Sequence, residues 1–181
     1  MLQADVIYPC EKVTYKDVRG NTVKVNIGEI RYSDKPIVYS CNGIGSCVVV
    51  FVYELNTNLS GVAHVMLPAQ EPEKRTKKNN TALYADTGAQ MLLKKLDLLG
   101  ANRNRLKAKI IGGGNLFAWA SSEKMKGLGR SNIDMVRKEL IANQIYIAAE
   151  EVGGNMYKSI RCHSTDGKVV IRTDKDLEKY I

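Results

Sequence analysis

A cysteine that follows two glycines and a serine is the part of this sequence best suited to nucleophilic chemistry. Cys47 closes the segment Cys41-Asn-Gly-Ile-Gly-Ser-Cys47 and opens an apolar run typical of a buried strand. Gly43 and Gly45 let the backbone turn tightly, so the amide N–H groups around Ser46 could point into one concavity and bind an oxyanion beside the thiol. The pattern alone is weak, because a buried cysteine at a strand start is most often a small apolar side chain.

His64 is the second candidate, since it lies in the apolar strand sequence of residues 61–68. A buried histidine must satisfy two ring nitrogens or bear the cost of burial. It is therefore either a core histidine bonded to the backbone or a partner of Cys47. Antiparallel pairing of strands 47–53 and 62–67 would place the start of one opposite the end of the other. In that arrangement the imidazole would lower the pKa of the thiol and later protonate a leaving amine.

Two other groups of residues carry weaker signals. Cys162-His163 has neither the spacing of a zinc site nor that of a nucleophile motif, so we interpret it as structural or surface. Gly112-Gly-Gly-Asn115 lacks the Lys-Ser/Thr of a P-loop and the spacing of a dinucleotide fingerprint. It is better explained as a turn that shapes a site, and the sequence predicts no metal site.

Hydrophobic periodicity predicts the strands that would position these residues. They are expected at 23–27, 37–39, 47–53, 62–67, 107–111, 144–150, 157–162 and 168–172. The segment 54–61 is a turn-rich connector of hairpin length, and Thr165-Asp-Gly167 predicts a tight hairpin. The segment 70–80 is polar and basic, which is typical of a surface loop.

Two amphipathic helices are also predicted. From about Thr81 to Leu99 apolar residues recur every three or four positions, and Gly100 follows as a helix end. Ser131 and Asp134 resemble a capping box at the start of a second helix, which continues to about residue 142. The first strands follow one another rather than alternating with helices, which argues against a doubly wound parallel sheet.

The expected fold class is α+β, a single-domain layered α/β sandwich with mixed, largely antiparallel sheets and two main helices. The 181 residues suit one domain over 1–181. With 44% hydrophobic and 25% charged residues, the composition excludes a mainly disordered chain.

Export and membrane insertion are not expected. The richest apolar run, residues 47–53, stops at Glu54, well short of the ~18 apolar residues that a membrane span needs. The first ten residues contain an acidic side chain, Asp5, where a signal peptide would have its basic region. Four cysteines in a chain large enough to have its own core are expected to be free thiols. These features predict a cytoplasmic protein.

The net charge of +8 lies in one stretch of the chain. Residues 71–130 hold 13 Lys or Arg against 5 Asp or Glu, whereas residues 1–70 hold 6 and 6 and residues 131–181 hold 8 and 8. One interpretation is that these basic residues simply form a solvated surface. Alternatively, they form a patch that attracts an acidic partner. Few aromatic residues lie among the basic ones, so nucleic-acid binding has only charge in its favour.

Six motifs occur in one order across most of the chain. They are Gly43-x-Gly45-Ser46-Cys47, His64 within Ala-His-Val-Met-Leu-Pro, Tyr84-x-Asp86-Thr87, Gly112-Gly113, Arg130-x-Asn132 and Glu151-Val-Gly-Gly-Asn155. Together they resemble the CheD family, the chemoreceptor glutamine deamidases of bacterial and archaeal chemotaxis. The resemblance spans about residues 25–172.

The resemblance implies hydrolysis of a protein glutamine side chain to glutamate, with Cys47 as nucleophile and His64 as its base. Backbone amides near Gly45 to Cys47 would stabilise the oxyanion, and no metal or organic cofactor is implied. The family has a catalytic threonine six positions before the cysteine, where this sequence has Cys41. A thiol is a poorer hydrogen-bond donor and acceptor than a hydroxyl, so the third role departs from the family here.

The partners that the resemblance implies are the cytoplasmic helices of chemoreceptors, whose acidic faces could meet the basic stretch 71–130, and a CheC-type phosphatase. A different class of function is a binding module with weak or lost catalysis, because Cys41 replaces the threonine. Retained release of ammonia would identify the enzyme.

Overall fold

Two stacked β-sheets and a pair of helices form three layers in the computed structural model, which describes residues 9–14, 18–70, 82–116, 125, 127–175 and 177–181. In chain order the described strands are β1 (Cys10–Lys12), β2 (Val18–Arg19), β3 (Thr22–Lys24), β4 (Ile30–Ser33), β5 (Val38–Ile44), β6 (Val48–Glu54), β7 (Ser60–Val65), β8 (Leu106–Gly112), β9 (Tyr146–Val152), β10 (Lys158–His163), β11 (Val169–Thr173) and β12 (Glu178–Tyr180). The two helices of the pair are α1 (Ala85–Leu98) and α2 (Leu128–Ala142).

The strands divide into two sheets of mixed direction. The central sheet has the order β1-β4-β7-β6-β8-β9, and the outer sheet has the order β12-β11-β10-β5-β3-β2. Pairing is parallel for β1 with β4, β8 with β9 and β3 with β5, and antiparallel for the other neighbours. The expected α+β sandwich of largely antiparallel sheets with two main helices is confirmed.

The central sheet is buried on both faces, which explains the uninterrupted apolar run of β6. Val48, Val50 and Val52 belong to the apolar cluster under the helices. Val49 and Phe51 point to the other side and join the cluster between the two sheets. This alternation follows from the two-residue period of a strand, and it decides which side chains of β6 and β7 can meet between the sheets.

Each predicted strand overlaps an observed one, but several boundaries differ. The strand expected at 23–27 ends at Lys24, and the connector expected at 54–61 is shorter because Glu54 belongs to β6 while Ser60 and Gly61 belong to β7. The short or charged strands β1, β2, β4 and β12 gave no usable period and were not predicted. The loop expected at 70–80 lies outside the described residues except for Gln70, which is buried.

The second helix begins earlier than predicted. Its first residue is Leu128, and the amide N–H of Ser131 donates to the Gly127 carbonyl at 3.0 Å. Ser131 is therefore inside the helix, and the predicted capping box is wrong. The physical reason lies in packing: Gly129 lies so close to the Gly113 backbone that a Cβ atom there would be 2.5 Å from the Gly113 carbonyl oxygen. The glycine allows the extra turn.

Candidate active site

Residues 45–47 form a loop in which all three backbone carbonyl groups accept hydrogen bonds from other parts of the chain. It joins β5 to β6. The Gly45 carbonyl accepts from the Gly114 N–H at 2.7 Å, and the Cys47 carbonyl accepts from the Gly113 N–H at 2.7 Å. Between them, the Ser46 carbonyl accepts from Asn132 Nδ2 at 2.9 Å. Three consecutive carbonyls are thus fixed by two other parts of the chain.

Fixing these carbonyls also fixes the amide N–H groups of the loop. In a planar trans peptide the C=O and the N–H of the same unit point in opposite directions. Holding the Gly45 and Ser46 carbonyls therefore sets the directions of the Ser46 and Cys47 N–H groups. In the described chain neither N–H donates to a backbone carbonyl. Two preorganised donors beside a thiol are what an oxyanion hole requires.

Gly112 allows the close approach that this arrangement needs. Its φ angle is +114°, and a Cβ atom there would lie 2.3 Å from the Cys47 carbonyl oxygen. Any other residue would push β8 away from the cysteine loop. The interpretation of Gly112-Gly-Gly as a segment that shapes the site agrees with this geometry.

The Cys47 thiol is largely enclosed, with 6% of the residue exposed. Burial raises its pKa above 9.0, and the amide N–H of Cys47 opposes that rise. The expectation that His64 would lower the thiol pKa is wrong for the free protein, because burial has the largest effect and the opposing effect comes from the Cys47 amide rather than from His64. Cys47 is therefore a thiol rather than a thiolate at neutral pH.

His64 is 1% exposed and is held between the two sheets. Its Nδ1 lies 3.4 Å from the Val25 carbonyl oxygen, while Nε2 is buried and has no hydrogen-bond partner among the described residues. Burial lowers the pKa of His64 below 6.5, so the ring is neutral at pH 7. With Nδ1–H donating to Val25, Nε2 carries the free lone pair of a base. Nδ1 is bonded to the backbone, as the core-histidine interpretation expects, whereas Nε2 is not.

The antiparallel pairing predicted for the two strands is present, with a register that places Cys47 and His64 diagonally. His64 pairs with Val49, two residues after Cys47. Residues two apart share a face, and diagonal neighbours on a face have Cα atoms about 7–8 Å apart. No hydrogen bond joins the two side chains within the described residues.

The loop after β3 holds the backbone of His64. The Gly28 N–H donates to the His64 carbonyl at 2.7 Å, and the His64 N–H donates to the Glu29 carbonyl at 3.0 Å. Val25 connects this loop to the outer sheet, because its own N–H donates to the Ser40 carbonyl at 2.9 Å. The imidazole is therefore positioned by both sheets.

Cys41 lies in β5 and is completely buried in the cluster between the sheets. Burial raises its pKa far above 9.0, with a smaller contribution from the charge of Glu29. The same carboxylate acts on His64 and favours its protonated form. Cys41 and His64 thus share one electrostatic neighbourhood, although no hydrogen bond joins them in the described structure.

The two other cysteines, Cys162 and Cys10, are not in the Cys47 loop. Cys162 is completely buried in the core between the sheets, which fits the structural interpretation of Cys162-His163. Cys10 is half-buried near the sheet edge. Among the described residues, no group of three or more His, Cys, Asp or Glu could hold a metal ion.

The described basic residues of stretch 71–130 do not form one patch. Leu106 pairs with Glu54 at the far end of β6, whereas Gly112 pairs with Val48 beside Cys47. Six residues of strand separate these ends by about 20 Å, so Arg103 and Arg105 lie far from the thiol. Both are also paired, with Asp97 and Glu54. The runs at 74–78 and 124–126 are outside the described residues, apart from Met125.

Asn132 is a site residue to which the sequence assigned no role. It is 0% exposed on α2, and its Nδ2 donates to the Ser46 carbonyl at 2.9 Å and the Met66 carbonyl at 2.8 Å. Met66 lies two residues after His64. The side-chain amide of Asn132 thus connects the end of the His64 strand to the Cys47 loop, from behind the central sheet. Its place in the Arg130-x-Asn132 motif was the only signal.

Replacing Asn132 with leucine should lower kcat by about 10- to 100-fold, because the Cys47 N–H would lose its fixed direction. The Michaelis constant should change little, since Asn132 lies behind the loop. Steady-state kinetics of ammonia release would measure both constants.

The matched control is Val136→Ala, another substitution of a fully buried α2 residue, which packs under the helices. It should destabilise the fold and leave kcat of the folded protein near wild type. Equal losses of kcat in the two variants would mean that Asn132 acts only through general stability.

Comparisons with known proteins agree on one family. The family described as CheD chemotactic sensory transduction matches residues 66–173. The chemoreceptor glutamine deamidase CheD of Halalkalibacterium halodurans is 37% identical over 161 residues, which cover 89% of this chain and 99% of that protein. Probable chemoreceptor glutamine deamidases CheD from Clostridium botulinum and Pyrococcus horikoshii are 33% and 37% identical over 150 residues, covering 83% of this chain and 91% of each of those proteins.

A crystal structure of the Bacillus licheniformis hypothetical protein YfiH is also similar, with a TM-score of 0.42 and 18% identity over 78% of this chain and 58% of that one. This likeness is too low to support a statement about function. No helix within the described residues is both long and apolar enough to cross a membrane.

Proposed function

The chain belongs to the CheD family, and from this premise we propose that it is a chemoreceptor glutamine deamidase acting by cysteine nucleophilic catalysis. The observation that carries the proposal is the placement of Cys47 beside two amide N–H groups with fixed directions and on the same strand face as His64. These are the three parts that acyl transfer from an amide needs: a nucleophile, a base and an oxyanion hole.

The first half of the reaction forms a thioester. As the substrate carboxamide enters, His64 Nε2 takes the thiol proton and Cys47 Sγ attacks the carboxamide carbon. The carbonyl electron pair moves to oxygen, and the resulting oxyanion accepts hydrogen bonds from the N–H groups of Ser46 and Cys47. When the tetrahedral intermediate collapses, the carbon–nitrogen bond breaks and His64 gives its proton to the leaving nitrogen, which departs as ammonia.

The second half releases glutamate. His64, again neutral, removes a proton from water, and the hydroxyl attacks the thioester carbon. Collapse breaks the carbon–sulfur bond, and Cys47 recovers its proton from the imidazolium. The neutral imidazole that burial favours is therefore the form that both halves require. The proposal includes no metal or organic cofactor.

The proposed substrates are glutamine side chains on the cytoplasmic part of chemoreceptors, which places the protein in the cytoplasm. Incubation with the cytoplasmic domain of a chemoreceptor should convert glutamine to glutamate with a mass gain of about 1 Da per site, as loss of ammonia and addition of water require. Absence of that gain with a folded protein would contradict the proposal.

Docking without catalysis is the second candidate function. The burial of Cys41 favours it, because a thiol forms weaker hydrogen bonds than the family's threonine hydroxyl and would orient a catalytic or substrate group less well. In that case the protein would bind receptors or a CheC-type phosphatase and release no ammonia.

Replacing Cys41 with threonine separates these possibilities. The two side chains are similar in size, so the fold should survive. A hydroxyl at this position would hold His64 or the substrate amide by a stronger hydrogen bond than a thiol can form. One net hydrogen bond contributes about 1 kcal/mol, which predicts about a fivefold gain in the rate of deamidation by mass spectrometry.

Cys41→Ala is the matched control. Equal rates for wild type, Cys41→Thr and Cys41→Ala would remove position 41 from the catalytic set. An inactive wild type with an active Cys41→Thr variant would instead identify the natural protein as a binding module.

A further inference from the structure

The outer face of the outer sheet carries two concave surfaces that meet over β5. One has a volume of about 620 Å³ and the other about 460 Å³, and both are lined by Ser40 and Asn42. These side chains lie two residues apart on one strand, so they share the face that points away from the core. Among the described elements, none packs on this face. Small polar side chains form the floor of a groove.

Two basic residues stand on either side of that floor. Lys24 of β3 and Arg161 of β10 both pair in register with Ser40. Adjacent strands are about 4.8 Å apart, so the two backbones are about 10 Å from each other across the groove. Both side chains are exposed, and neither forms an ion pair with a described residue. This width is close to the diameter of an α-helix with its side chains.

The groove as a whole is positively charged. Its lining includes five Lys or Arg side chains, Arg19, Lys24, Arg161, Lys168 and Arg172, against two carboxylates, Asp166 and Glu178. Glu178 is already paired with Arg172, and Lys168 lies over the ring of Tyr180. The unpaired charge is concentrated on both sides of Ser40, where a partner with acidic side chains would find complementary charge.

The groove is continuous with the segment that carries the thiol. Asn42 is followed directly by Gly43 and the loop to Cys47, and Ser159 on the neighbouring strand follows Tyr157 and Lys158. A Cβ atom on Gly45 would lie 3.3 Å from the ring of Tyr157, so the groove end and the active-site loop are adjacent. One substrate molecule could therefore place an acidic segment in the groove and a glutamine side chain at Cys47.

We propose that this groove is a docking site for an acidic helical segment of the protein substrate, separate from the residues that bind the reacting glutamine. It rests on the proposed function and adds a specificity element to it. The groove holds the substrate by charge and raises its local concentration at the thiol.

The test reverses the two central charges with the double variant Lys24→Glu/Arg161→Glu. The substrates are a chemoreceptor cytoplasmic domain and a short neutral glutamine peptide. The ratio of kcat/KM for the domain to kcat/KM for the peptide should fall by about tenfold at low salt, as expected when two exposed charge contacts become repulsive. At high salt the difference should shrink, because exposed charges are screened.

The matched control is Lys138→Glu/Lys175→Glu, which makes the same change in net charge at two exposed positions outside the groove. Its ratio should stay near that of wild type. An equal fall in both variants would mean that only net charge matters and would overturn the proposal. An unchanged ratio in the groove variant would also overturn it, as would a loss of affinity for anionic phospholipid vesicles without a change in the ratio.

A binding measurement distinguishes failure of the groove from failure of the proposed function. In the Cys47→Ala background, the Kd for the receptor domain should rise by about tenfold on adding the groove substitutions. If wild type shows no deamidation but the Kd rises, the proposed function has failed and the groove stands. If wild type deamidates and the Kd is unchanged, only the groove proposal has failed.

Discussion

Replacing Cys47 with alanine is expected to lower deamidation by about 10⁴-fold or more, since no other group can form the thioester. Alanine lacks only the sulfur atom of the cysteine side chain, so the substitution should change the thermal midpoint little. Ammonia release and receptor mass would measure activity, and a thermal melt would confirm the fold. The predicted loss is the largest that any single substitution in this chain should cause.

Cys10→Ala is the control for this variant. Cys10 is more exposed than Cys47 and lies near the edge of the central sheet, so it is the thiol most open to reagents. Its removal should leave the rate unchanged. Substantial activity in Cys47→Ala, or its loss in Cys10→Ala, would show that the nucleophile has been wrongly assigned.

His64→Gln is expected to lower kcat by about 10²-fold or more, because the amide of glutamine cannot accept and return a proton. Glutamine fills much of the imidazole volume, which matters because the buried ring contacts both sheets. His64→Ala would also leave a cavity and destabilise the protein, so activity must be expressed per folded molecule. Loss of stability with full specific activity would indicate a structural histidine.

The pH profile gives a second readout of the same group. Burial lowers the pKa of His64, so the neutral base persists as the pH falls through 6.5, and kcat/KM should decline only below that value. His163 is the only other histidine in the sequence. In His163→Ala the acid limb should remain, whereas an acid limb that moves or disappears in this variant would contradict the assignment to His64.

The placement of Cys47 near His64 could be predicted because it depends on two strands joined by a short connector. Once β6 and β7 are antiparallel, the two-residue period places Cys47 and His64 on one face. The pKa of Cys47 could not be predicted, because it depends on how much of the thiol the surrounding layers cover. The sequence suggested an activated thiolate where the fold provides a buried thiol.

The role of Asn132 could not be predicted from the sequence, for a related reason. Its contact with Ser46 joins residues 86 positions apart and exists only because α2 packs across the central sheet. The early start of α2 depends on a similar contact, between the backbones of Gly113 and Gly129. Neither close approach leaves a periodic signal, whereas the apolar alternation of the strands does.

The three fixed carbonyls of the cysteine loop also determine when the protein can become reactive during its synthesis. Their donors, Gly113, Gly114 and Asn132, come from the segment directly after β8 and from α2, and each follows the loop by more than 60 residues along the chain. Contacts of such long range form late in folding. On the proposed mechanism, a nascent or partly unfolded chain therefore carries the thiol without an oxyanion hole and is catalytically inactive. Local opening of α2 in the mature protein would silence it in the same way, while both sheets stay intact.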